Sequence, residues 1–153
     1  MTRPTRNLVL IAAGGSLALL AGAFIFQAFG YAPCKLCLLQ RWPHAAAIVV
    51  GGAVLASGWR QLSWVGALAA LTTGLTGVYH SGIERGFWQG PTTCASNGVT
   101  GVSPEDLLNQ ILAAPLIRCD EVAWSMLGLS MASWNAVLSF GLAALWVAAA
   151  RRR

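Results

Sequence analysis

Hydrophobic positions in this chain fall into four long runs, not into the scattered stripes of a water-soluble fold. Residues 8–29 carry no charged side chain, and comparable runs occupy about 41–59, 62–79 and 133–150. Each is close to the roughly 17–25 residues that carry a helix across a hydrocarbon core. The pattern predicts an all-α protein, a four-helix transmembrane bundle made by one integral membrane domain over residues 1–153. The runs leave two longer connections, about 30–40 and 80–132, and a short turn near residue 60.

The longer connection carries a helix signal of its own. Ser103-Pro104-Glu105-Asp106 supplies an N-cap, a proline for the first helical position and a capping-box acid. Leu107, Leu108, Ile111, Leu112 and Leu116 then recur at helical spacing, and Pro115 ends or bends the segment. It is too short to span, so a short amphipathic helix lying along the membrane surface is expected. The first run also resembles a secretory leader, with Arg3 and Arg6 before it and Ala21-Gly22-Ala23 as a small-residue site. Its apolar stretch continues to Phe29, so an uncleaved first helix is expected.

Composition strengthens the membrane reading. Hydrophobic residues make up 56% and charged residues 10%, and the mean hydropathy is +0.62. A soluble domain has about 25% charged residues, so too few are present to cover a water-facing surface. The net charge of +5 does not indicate nucleic acid, because the basic residues sit at the ends of apolar runs and form no stripe with aromatics.

Those basic residues also set an orientation. Arg3 and Arg6, Arg60, and Arg151 to Arg153 fall on one side of an even number of spans, the cytoplasmic side by the positive-inside rule. Lys35, Arg41, Arg85, Arg118 and all five acidic residues fall on the other. Trp59, Trp64 and Trp146 toward one end, and Trp42, Trp88, Trp124 and Trp134 toward the other, are expected to form interfacial belts. All four cysteines then face the outer side, which in a bacterium is the oxidising periplasm.

Cys34 and Cys37 form a Cys-x-x-Cys pair, close enough in a helix or tight turn to bond. A helix N-terminus at Cys37 would favour its thiolate, and Arg41 and His44 follow on the same helical face. Pro43 complicates that face, because a proline inside a helix removes a hydrogen bond; the alternative is a first-turn residue of a helix that starts later, which would loosen the Cys37–Arg41 geometry. A static disulfide is an alternative reading, as is half of a zinc site. Zinc usually takes a second close pair, which Cys94 and Cys119 do not supply. Those two flank the expected surface helix, as a structural clamp worth ~3 kcal/mol or as a second redox pair able to exchange with the first. His80, beside Tyr79 at a run's end, is expected to be a polar anchor. Gly52 with Ala56, and Ala70 with Gly74, are candidates for close helix packing.

Taken together, CKLCLLQR after the first run, two further cysteines in the second outer loop, and CDEVAWSMLGLSMASW before the last run resemble the bacterial DsbB family, disulfide bond formation protein B. The likeness covers essentially the whole chain. It implies a membrane protein-thiol:quinone oxidoreductase that reoxidises a periplasmic thioredoxin-like thiol oxidase (DsbA-like) and passes two electrons to a quinone, ubiquinone or menaquinone. By the resemblance Cys94 forms a mixed disulfide with the partner, Cys119 is its pair, and electrons move on to Cys34 and Cys37. Cys37 faces the quinone, Arg41 stabilises thiolate and reduced quinone, and His80 and Met131 border the quinone pocket. The implied protein is a multi-pass, monomeric component of the bacterial inner membrane, with both termini cytoplasmic and no resident metal. A paralogue with a dedicated client, a reductase running the other way, and a non-catalytic scaffold with two static disulfides remain as alternatives.

Overall fold

Each apolar run is helical, and the helices reach beyond the runs into their polar flanks. The computed structural model describes residues 1–91 and 118–152. Helix α1 spans Arg3–Ala28, with proline in its first turn, where a missing N–H removes no intrahelical bond. Helix α2 spans Lys35–Ser57 and stops at Gly58, whose φ of 70° is the left-handed geometry that glycine adopts without a Cβ clash. After a 3-10 turn at Arg60–Leu62, α3 runs over Ser63–Glu84 and α4 over Met131–Arg151. A small hairpin leads into α4: β1, Ser125–Met126, pairs antiparallel with β2, Leu129–Ser130. Its turn residues Leu127 and Gly128 have φ of 54° and 77°, the pair of positive values that matches strand twist in a two-residue turn. The surface helix expected near 103–116 lies outside the described residues.

Because α2 begins at Lys35, Pro43 lies inside the helix and not in its first turn. The proline removes one backbone bond, the one that would reach the Leu39 carbonyl, and the Cys37–Arg41 spacing stays helical. Arg3–Ala28, Arg60–Glu84 and Met131–Arg151 are long and apolar enough to cross a membrane by length and composition, with mean hydropathies of 2.3, 1.3 and 1.5. Helix α2 has 23 residues, about 35 Å at 1.5 Å per residue. It is less apolar because Arg41, Trp42, Pro43 and His44 occupy its outer turns. α3 packs on α2 and α4, and α1 packs on the same two helices, which closes a four-helix membrane bundle.

Small residues set how closely these helices approach. Trp146 is fully buried at the centre of a cluster with Val9, Ala12, Val54, Ala67, Ala70, Leu142 and Ala149. It belongs to the core and not to an interfacial belt; Trp59 and Trp64 are the exposed aromatics at that end. The indole lies against α3 at Gly66, where a Cβ would stand 2.6 Å from its ring atoms. Across the bundle, a Cβ on Gly51 would stand 2.4 Å from the Ala13 Cβ. The glycine facing α1 is thus Gly51, while Gly52 looks into open space and Ala56 is exposed. Composition alone does not reveal this one-residue difference in helix phase. Lipid tails are as apolar as these side chains, so close packing is what holds such helices together. Gly66→Ala is expected to destabilise the bundle by about 1–3 kcal/mol through overpacking, read as a lower unfolding midpoint in detergent micelles. An unchanged midpoint would show that Trp146 can move aside without cost.

Candidate active site

The outer end of α2 begins on a cysteine. Cys34 is the N-cap, with φ −72° and ψ 171°, and its sulfur accepts the Cys37 amide at 3.2 Å. A sulfur therefore fills the position usually taken by a Ser or Asp oxygen. The Cys34 and Cys37 sulfurs lie 2.9 Å apart and both residues are free cysteines; with Cys34 as the favoured anion, the Cys37 thiol is the donor between them. A third group approaches from α3, with His80 Nε2 3.5 Å from Cys34 Sγ. Cys34 is held at about 4, far below the ordinary 9.0; the Cys37 thiol's hydrogen bond contributes most, His80 and the Cys37 amide contribute further, and burial opposes them. It is thus Cys34, and not Cys37 as the spacing suggested, that receives the helix N-terminal amide.

His80 is 4% exposed, so it is no surface anchor. Its Nδ1 faces Gln40 Nε2 at 3.1 Å, and the same amide donates to the Leu36 carbonyl at 3.2 Å. Gln40 Oε1 accepts from Asn135 Nδ2 at 2.6 Å, and Asn135 Oδ1 meets His44 Nε2 at 2.9 Å. Thr73 joins in, donating to the Gln40 carbonyl at 3.1 Å. A continuous buried ladder thus links Cys34 to His44 through side chains of α2, α3 and α4. On its outer side, Glu84 Oε1 lies 3.9 Å from His80 Nε2, and Ser130, the N-cap of α4, donates to the Glu84 carboxylate.

Cys37, Arg41, His80 and Met131, from α2, α3 and α4, line one cavity of about 250 Å³. Gln40, His44 and Asn135 also border it, and Leu19, Phe26, Trp124 and Trp134 supply apolar wall. Few polar groups in an apolar hollow is the usual character of a small-molecule site. Arg41 turns toward α1, where its Nη1 donates to Gln27 Oε1 at 2.7 Å and its guanidinium lies 4.7 Å from the Phe24 ring centroid. Its Nε is buried without a partner. An apolar slot with an unpartnered cationic donor beside a thiol can hold a flat small molecule that bears a hydrogen-bond acceptor.

Cys119 is disulfide-bonded and 1% exposed, and it packs in the same cluster as Cys34, Leu36 and Ile83. The second pair therefore has a member beside the first. Cys94 lies outside the described residues. Among the described residues, the ligand atoms of Cys34, Cys37 and His80 fall within 4.8 Å of one another, one ligand fewer than a closed structural zinc site uses.

Gln40, Asn135 and Glu84 escaped the sequence reading. Gln40 and Asn135 stand out in the sequence only as amides inside apolar helices, where a polar side chain generally marks a pathway or a site. Glu84 was visible only as one acid among five on the outer side.

The model of the DsbB family, disulfide bond formation protein DsbB, matches residues 5–149. Disulfide bond formation protein B 2 of Pseudomonas aeruginosa is 33% identical over 135 residues, covering 84% of this chain and 79% of its own. Disulfide bond formation protein B of Albidiferax ferrireducens is 29% identical over 148 residues, covering 90% and 80%. An uncharacterised protein of Rickettsia prowazekii is 32% identical over 143 residues, covering 89% and 81%. No solved structure gives a significant match.

Proposed function

The chain belongs to the DsbB family of membrane disulfide bond formation proteins, and on that premise we propose that it is a protein-thiol:quinone oxidoreductase. In this reading its client is a periplasmic thioredoxin-like dithiol oxidase, DsbA-like, and its electron acceptor is a membrane quinone. The observation that carries the reading is the position of Cys37: its sulfur is 2.9 Å from Cys34 and it lines the apolar cavity together with Arg41. One residue thus belongs to a dithiol and to a pocket suited to a lipid-soluble acceptor.

The proposed sequence balances. A client thiolate attacks the Cys94–Cys119 disulfide, and its second thiol then resolves the mixed disulfide, leaving the client oxidised and both loop cysteines as thiols. Exchange with the Cys34–Cys37 disulfide restores the loop pair and leaves Cys34 and Cys37 reduced. Bound quinone supplies a two-electron, two-proton sink for that dithiol. Arg41 would hold a carbonyl oxygen through its free Nε–H, His80 steadies the Cys34 sulfur, and Phe26, Trp124 and Trp134 exclude water. Stabilising Cys34 as a thiolate stabilises the reduced pair, which makes its disulfide a stronger oxidant. The orientation proposed puts both termini in the cytoplasm and the cysteines in the periplasm, in a monomer of the bacterial inner membrane. Packing of Cys119 beside Cys34 supports a relay over two separate static clamps.

The test mixes purified protein, a reduced dithiol client and a short-chain ubiquinone, and follows loss of quinone absorbance. Absence of turnover with intact cysteines would sink the reading. In the same assay Arg41→Ala should raise KM for quinone by about tenfold, the order of one charge-assisted hydrogen bond, and leave KM for the client unchanged. An unaltered quinone dependence would take Arg41 out of the pocket's function. The Cys34–Cys37–His80 triangle favours a metal site as the second reading. Stoichiometric zinc in the purified protein, together with no quinone turnover, would make that the better one.

A further inference from the structure

His44 lines the cavity and is 3% exposed, yet its Nδ1 has no hydrogen-bond partner. We propose that His44 Nδ1 is a hydrogen-bond acceptor for the reduced, dihydroxy form of the electron acceptor, so that the cavity tells quinol from quinone. The inference rests on reading the cavity as the quinone site.

Its direction follows from the amide ladder, one donor at a time. The Leu36 carbonyl can only accept, so the Gln40 atom 3.2 Å away is Nε2, and Oε1 is left for Asn135. Oε1 also only accepts, so Asn135 offers Nδ2 at 2.6 Å, and the same nitrogen reaches Thr73 Oγ1 at 3.2 Å. Asn135 Oδ1 is thereby turned to His44 Nε2 at 2.9 Å. An amide oxygen carries no proton, so Nε2 must carry it. Neutral imidazole has a single N–H, so Nδ1, unpartnered in a residue that lines the cavity, is left with a lone pair.

A lone pair beside an apolar hollow discriminates by chemistry. Quinone oxygens are acceptors only, so they offer His44 nothing and repel it. Reduction turns both carbonyls into hydroxyls, with two electrons from the Cys34 thiolate and Cys37 thiol as they form their disulfide, one proton from Cys37 and the second from water, and a hydroxyl can donate to Nδ1. Arg41 Nε, three residues earlier on α2 and also unpartnered, is a donor that serves either form. One unspent donor and one unspent acceptor together match the product better than the substrate. The amide ladder makes that match by fixing the tautomer, so Asn135 is a positioning residue.

Binding tests this directly, without turnover. Trp124 and Trp134 line the cavity, so ligand affinity is read from quenching of tryptophan fluorescence. A short-chain ubiquinol is titrated into the dithiol protein and the matching ubiquinone into the disulfide protein, combinations that undergo no net reaction. His44→Leu should weaken ubiquinol about tenfold and change ubiquinone by less than about twofold, as loss of one hydrogen bond requires. Asn135→Leu keeps the imidazole but releases its tautomer, so it should weaken ubiquinol and strengthen ubiquinone, and it serves if His44→Leu does not fold. Equal losses for both forms, or no change in either, would overturn the role of His44 while leaving the quinone site intact. Failure of the unsubstituted protein to bind either form would overturn the quinone reading as well.

Discussion

Cys37→Ser is expected to stop the proposed quinone reduction, with the rate falling by at least about 10³-fold, as loss of a reacting nucleophile does. The oxygen of serine cannot enter a disulfide, so Cys34 loses its Cys37 partner and the pair no longer has a two-electron couple to discharge into the cavity. The substitution is small and keeps a donor toward Cys34 Sγ, now 2.9 Å from the Cys37 thiol, so the helix start should persist. Client engagement is the control: the variant should still form a mixed disulfide through the loop pair, trapped by acid quenching and seen as a mass shift. Lost turnover with retained capture assigns the defect to the step next to the cavity. A variant that reduces quinone near the parental rate would mean that Cys34 and Cys37 are a static pair.

The second large effect is on acidity. In the dithiol protein the Cys34 thiolate should titrate near pH 4, against 9.0 for an ordinary thiol, followed by thiolate ultraviolet absorbance. Because the Cys37 hydrogen bond is the leading cause, Cys37→Ala should raise the midpoint most. His80→Gln should raise it less. The sign of the linkage follows from the lowered value: the reduced protein gains stability from Cys34 above about pH 9 and loses it as pH falls through about 4. Thermal unfolding of the reduced form should therefore weaken with acidification across that window, while the Cys34–Cys37 disulfide form, which has no thiol there to titrate, lacks this contribution. A midpoint in the ordinary thiol range would show that the Cys37 thiol and His80 do not stabilise the anion.

The cysteine motif was legible in the sequence, but its internal polarity was not. Spacing put Cys37 near a helix start and suggested it as the thiolate. The helix instead begins at Lys35, which makes Cys34 the cap and Cys37 the donor. Proline statistics misled here: Pro43 suited a first turn, yet packing of α2 between α1 and α3 carries the missing bond. Trp146 misled in a similar way, because its distance from a helix end does not say which side of the helix faces a neighbour.

The sequence by itself determined that four helices form a membrane bundle, and it singled out the cysteines for which redox chemistry is proposed. Both are local properties: a run of some 20 apolar residues has to satisfy its backbone internally in lipid, and a Cys-x-x-Cys pair is within bonding reach in one turn. Only the tertiary structure decided which polar side chains meet. Gln40, His44, His80 and Asn135 come from three helices, and their ladder depends on the rotation of each helix about its axis. Contacts at glycines set that rotation, Gly51 against Ala13 and Gly66 against Trp146. A shift of one residue turns a helix by about 100°, enough to send any of these side chains into lipid.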